Sequence, residues 1–129
     1  MVRSALAVLA HPEWAEVFGP DSLAEVPLAA VVGGRVVSGT VDRLVIGETR
    51  IRIVDFKTAR RPPTSLAEVP AAYIRQMSAY VAALEAIHPG VPVEAALLYT
   101  HTPELFVLPA DLVEAQKLRL AGVQESFSG

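Results

Sequence analysis

The sequence predicts one α/β domain built on a mixed β-sheet, made of an antiparallel meander, a crossover helix and further strands, and flanked by helices. Three observations predict it. Apolar runs of strand length, separated by tight turns, fill the stretch from Leu23 to Phe56. A long segment with helical apolar spacing follows, from Ala71 to Ile87. Two more strand-like runs then precede a final helical stretch. The order helix, three strands, helix, strand, strand, helix lets each amphipathic element bury its apolar side against another layer.

Each element has a local reason. Val2–Phe18 carries Leu6, Leu9, Ala10, Trp14, Val17 and Phe18 at helical spacing. Pro12 divides it, because proline is tolerated in a first turn and the residue before it avoids the α region. Gly19-Pro-Asp-Ser22 is a turn. Leu23–Val32 reads as a strand that Pro27 pushes to a sheet edge, since proline cannot donate to a ladder. Gly33-Gly34 is a two-residue hairpin signal. Arg35–Leu44 is the second strand, Ile46-Gly-Glu-Thr49 the next turn and Arg50–Phe56 the third strand. Ala59–Pro70, with Arg60 and Arg61 among several prolines, is a loop. Ala71–Ile87 is a helix stopped by Pro89-Gly90. Pro92–Thr100 is mostly apolar, as a strand covered on both faces should be. Glu104–Leu108 is a further strand, and Pro109 starts the helix Ala110–Gly122.

Composition narrows the function classes. At 129 residues the chain makes one domain, long enough to bury roughly two-thirds of its unfolded surface. An apolar fraction of 52% with few aromatics gives a core of Val, Leu, Ala and Ile. No apolar run reaches the ~18 residues of a membrane span, and the N-terminus lacks a signal-peptide layout. The expected location is cytoplasmic, with no membrane partner. The absence of cysteine excludes disulfides, thiolate metal sites and cysteine nucleophiles together. A net charge of −3 is not the footprint of a self-sufficient nucleic-acid binder, so a nucleic-acid reading must rest on a local site.

That site is Ser38-Gly-Thr-Val-Asp-Arg-Leu44 followed by Ile51-Arg-Ile-Val-Asp-Phe-Lys-Thr58. Two apolar strands each end in a carboxylate, Asp42 and Asp55. Lys57 shares the face of Asp55 because strand side chains alternate, while Phe56 points into packing. Paired carboxylates at the ends of adjacent strands can hold a hard divalent cation through oxygen. An ammonium beside them can bind an anionic substrate or orient a water.

A strand-turn-strand with both acids, a lysine two residues on and then a helix resembles the PD-(D/E)XK nuclease superfamily and its restriction-endonuclease-like fold. Tyr73-Ile-Arg-Gln-Met-Ser-Ala-Tyr80 strengthens the likeness by placing Gln76 and Tyr80 four apart on one helix face. Gly39-x-x-Asp-Arg-Leu, Val54-Asp-Phe-Lys-Thr and Tyr73-x-x-Gln-x-x-x-Tyr together resemble the RecB-like nuclease domain. Phe18-Gly-Pro, Ala24-Glu-Val-Pro and Leu98-Tyr-Thr around them most resemble the C-terminal end of AddA-type helicase–nucleases. The resemblance covers Phe18 to Leu108.

It implies DNA phosphodiester hydrolysis with Mg²⁺ or Mn²⁺, in DNA double-strand-break repair. Asp42 and Asp55 would be metal ligands, the Phe56 backbone carbonyl would complete the protein side, and Glu25 is a further candidate ligand. Lys57 would position water or stabilise phosphate charge, with Gln76 and Tyr80 beside it. Arg60 and Arg61 are candidate DNA contacts. The implied partners are DNA, helicase domains of the same parent chain and a second subunit; ATP enters only through that helicase.

One departure stands out. RecB-type nucleases carry a metal-ligating histidine in a Gly-x-x-x-His helix, and His11, in Leu9-Ala-His-Pro-Glu, does not match. The expectation is a fragment, residues 1–129 forming a single RecB-like nuclease domain whose N-terminal metal-ligand helix lies outside it. His11, His88 and His101 lack ligand spacing and read as structural or surface residues. The alternative is a noncatalytic DNA-end or protein-docking module that retains the fold. A hydrolase of a small phosphorylated substrate is weakened by the absence of a Gly-rich phosphate loop.

Overall fold

The computed structural model describes residues 11–120 and 125–126. Six strands, β1 (Leu23–Val32), β2 (Arg35–Ile46), β3 (Ile51–Lys57), β4 (Val93–Tyr99), β5 (Glu104–Val107) and β6 (Glu125–Ser126), form one sheet in the order β1-β2-β3-β4-β5, with β6 beside β2. The meander β1-β2-β3 is antiparallel, β3 and β4 are parallel, and β5 returns antiparallel to β4. The parallel pair requires a crossover, and helix α1 (Ala71–Ile87) supplies it. Helix α2 (Ala110–Leu120) packs against α1. This is the predicted mixed sheet flanked by helices.

Local chemistry sets the boundaries. Gly33 and Gly34 adopt φ of +56° and +79°, the left-handed pair that a two-residue hairpin with the correct twist requires. β1 lies at the edge of the sheet, where Pro27 is harmless. Pro12–Phe18 forms a 3₁₀ helix rather than a second α-helix, and the helix expected over Val2–Ala10 lies outside the described residues. The last helix ends at Leu120; the two further residues expected in it also lie outside the described ones.

Alternation along β3 divides the core. Ile51 and Ile53 pack with Met77, Val81, Leu84, Ala95 and Leu97 on the α1 side. Val54, and behind it Phe56, pack with Trp14, Val17, Leu98 and Leu105 on the other. Asp55 and Lys57 therefore share the α1 side, as predicted.

The hairpin corrects one expectation. Asp42 does not end β2, which continues to Ile46. In an antiparallel hairpin two facing residues cannot both be C-terminal in their strands. Pairing of β2 with β3 instead stops at Arg43 and Val54, so Asp42 stands where the ladder opens, across from Asp55. Val41 and Leu44 both enter the α1-side core while Val45 enters the other, so the alternation slips by one at Asp42-Arg43. Opposite that slip on β1 is Glu25, which holds φ +53° between Ala24, paired with Arg43, and Val26, paired with Val41.

Candidate active site

The opened ladder gives Asp42 its position. With no β2 partner for Phe56 at that rung, the Asp42 carboxylate takes its place: Oδ2 accepts a hydrogen bond of 2.7 Å from the Phe56 backbone N–H. The N–H and C=O of one strand residue leave from the same edge, so the Phe56 carbonyl also faces the gap beside Asp42. Asp55 projects from the adjacent residue and is completely buried. Its Oδ2 lies 2.8 Å from Lys57 Nζ, while Oδ1 has no hydrogen-bond partner among the described residues.

Lys57 is held from the helix. Its Nζ donates to Gln76 Oε1 at 2.9 Å and lies 4.2 Å from the centre of the Tyr73 ring. Gln76 Nε2 in turn donates to the Tyr80 hydroxyl at 3.4 Å. Positions 73, 76 and 80 lie on one face of α1, and the crossover lays that face over the C-terminal half of β3. Lys57 and Gln76 are buried and Tyr80 fully so.

The electrostatics lack positive charge. Burial, then the carboxyl of Asp42 within hydrogen-bonding reach, raise the pKa of Asp55 to about 6 despite the opposing pull of Lys57. Burial also raises the Tyr80 phenol, with the charges of Asp55 and Asp42 adding to it, while hydrogen bonds from Gln76 and the Thr40 backbone oppose the shift. Two carboxylates beside one ammonium, with one buried oxygen lacking a donor, offer oxygen ligands of the kind a hard divalent cation takes. Asp42, Asp55 and the Phe56 carbonyl are the groups that could hold one.

The other candidates take no part in these hydrogen bonds and ion pairs. Glu25 is exposed across β1 from Asp42, and among the described residues no cluster of three acids or histidines is poised for a metal. Arg60 and Arg61 are exposed on the loop leaving Lys57. His11 lies 3.9 Å from Glu13, away from the acids. Sequence reasoning did not assign Tyr73 or the Thr40 backbone to the site; the three-residue interval from Tyr73 to Gln76 was the available signal for the first, and none existed for the second.

A family model of the PD-(D/E)XK nuclease superfamily matches residues 2–125. Among solved structures the chain is similar to the crystal structure of SSO0001, with a TM-score of 0.46 and 14% identity, covering 93% of this chain and 61% of that one. The chain thus spans less than two-thirds of that protein's length. No curated protein matches it.

Proposed function

The chain belongs to the PD-(D/E)XK nuclease superfamily, and on that premise we propose that it hydrolyses DNA phosphodiesters with Mg²⁺ or Mn²⁺, as the exonuclease domain of a DNA-repair helicase–nuclease of the AddA type. The observation that carries this reading is the convergence of Asp42, Asp55 and Lys57 at the point where the β2–β3 ladder opens. A module kept only for docking has no reason to aim a half-buried carboxylate, Asp42, at a fully buried one, Asp55, where their mutual repulsion costs stability.

Asp42, Asp55 and the Phe56 carbonyl would hold the cation. When bound it offsets phosphate charge, polarises the phosphorus centre and lowers the pKa of nearby water. The chain's own residues do the rest. Lys57 Nζ presents a fixed positive charge beside the acids, where it can orient the attacking water or stabilise the developing charge on phosphate. Gln76 directs that ammonium through its Oε1, and Tyr80 directs Gln76. Arg60 and Arg61, exposed on the loop that leaves Lys57, would meet the DNA backbone. The acidic net charge fits a tethered nuclease, because helicase domains and a partner subunit would deliver the strand.

The test is degradation of a labelled linear duplex with Mg²⁺ and ATP by the full-length parent and its variants. Asp55→Ala should abolish degradation while leaving DNA-stimulated ATP hydrolysis intact. Lys57→Ala should lose on the order of 10²-fold or more, as removal of a preorganised charge-stabilising group does. Normal degradation by Asp55→Ala would refute the assignment.

A further inference from the structure

Lys57 would be poorly placed if Gln76 were its only support on the helix side. A lysine ammonium swings on a four-carbon stem with three rotatable donors, and the Gln76–Tyr80 hydrogen bond behind it is long at 3.4 Å. The Tyr73 ring is a further contact, 4.2 Å from Nζ at its centroid, well inside the ~6 Å range in which a cation is drawn to an aromatic face.

The ring is itself braced. Lys57 and Tyr99 are partners in the parallel β3–β4 ladder, so their side chains stand next to each other on the α1 face. Tyr99 is buried and meets Phe106 edge-on, with centroids 5.7 Å apart at 89°. Its hydroxyl has no hydrogen-bond partner among the described residues, and burial first, then the neighbouring Tyr73 phenol, raise its pKa. Tyr73, half-buried in the first turn of α1, packs against the apolar cluster that holds Tyr99 and Phe106, and meets the Lys57 ammonium from there.

We propose that Tyr73 is a positioning residue: its ring face, rather than its hydroxyl, fixes the Lys57 ammonium beside Asp55 for reaction. The inference rests on Lys57 being the catalytic lysine. Ring contact does not reach the scissile phosphate, so its loss should lower kcat and leave KM unchanged. A leucine keeps apolar packing at the helix start but offers no π face; a phenylalanine keeps the face and drops the hydroxyl.

Two measurements on the full chain test this. In the first, ¹³C-lysine NMR of the wild type should show the Lys57 εCH₂ protons shifted upfield by the ring current, a displacement retained in Tyr73→Phe and lost in Tyr73→Leu. An ordinary εCH₂ shift in the wild type overturns the proposal, whatever any variant does. In the second, Mg²⁺-dependent cleavage of a labelled single strand is measured for wild type, Tyr73→Phe, Tyr73→Leu and Lys57→Ala. Tyr73→Phe should keep near-normal kcat, and Tyr73→Leu should lose about tenfold in kcat, the scale of a desolvated cation–π contact. A Tyr73→Leu protein with normal kcat, beside an inactive Lys57→Ala, overturns the role of Tyr73 and leaves the nuclease reading standing. A Tyr73→Phe protein as impaired as Tyr73→Leu assigns the role to the hydroxyl and likewise overturns it. An active Lys57→Ala removes the catalytic lysine and this inference with it.

Discussion

Asp55 is completely buried, with one oxygen facing Lys57 and the other without a donor, and its pKa stands at about 6 against an ordinary 3.8. Between the two values the folded state therefore holds on Asp55 a proton that the unfolded chain releases. For a raised acid the folded state binds more protons than the unfolded one between the two values, so stability falls as pH rises from about 4 to about 6. Above that window the full cost remains, of order 3 kcal/mol as an upper bound. In EDTA, denaturant melts of the wild type should lose stability across this window relative to Asp55→Asn, which has nothing to titrate there; identical slopes would contradict the buried acid pair. The shared face of Asp55 and Lys57 was legible in the sequence because strand alternation is strict. The Asp42 contact with the Phe56 amide was not, because it depends on where the ladder stops, which no single strand encodes. Tyr73 was hidden for a related reason: its partner on β3 becomes a neighbour only when the crossover helix comes to rest.

The meander, the crossover helix and the β4–β5 return were all readable from turn residues and apolar period. β6 was not, since the two residues Glu125–Ser126 carry no alternation to read and pair with β2 only through tertiary placement. The 3₁₀ segment Pro12–Phe18 was foreseen as a helix, but not what anchors it. Arg52, on the face of β3 away from α1, is buried; it donates to Glu94 Oε1 at 2.8 Å and to the Glu13 carbonyl, and meets Glu16 Oε1 at 3.3 Å. Its guanidinium lies 5.1 Å from the centre of the Trp14 ring. One arginine thus ties the segment to β3. Arg52→Ala should cost about 1–3 kcal/mol, chiefly because it removes a buried, stacked and packed stem, the exposed Glu16 and Glu94 carboxylates being free to turn to water. Trp14 is the sole tryptophan, so acrylamide quenching reports the segment directly. Quenching should rise in Arg52→Ala under conditions where far-UV circular dichroism still shows the sheet intact; a Trp14 as protected as in the wild type would show that apolar packing alone holds the segment.

At the scale of the whole molecule, the question is whether the proposed cation belongs to the fold or only to the chemistry. The sheet is covered on both sides: Ile53, Met77, Leu84 and Leu97 belong to one apolar cluster, and Trp14, Val17, Val54 and Leu98 to the other. Both are closed by apolar side chains alone, so folding does not wait for a ligand. Structural zinc domains differ in this respect, since there the metal supplies folding energy that a small core cannot. The acid pair, by contrast, opposes folding at neutral pH until a cation offsets its charge. Two effects should follow together. In EDTA at pH 7 the chain should remain folded, with a cooperative melt and dispersed methyl resonances. Adding Mg²⁺ or Mn²⁺ should then raise Tm progressively with concentration, as any ligand confined to the native state does, and Asp55→Asn should lose most of that rise while keeping the fold. A chain that collapses in EDTA would make the metal structural, and one whose Tm ignores both cations in the wild type would leave the paired acids without the charge partner that their burial calls for.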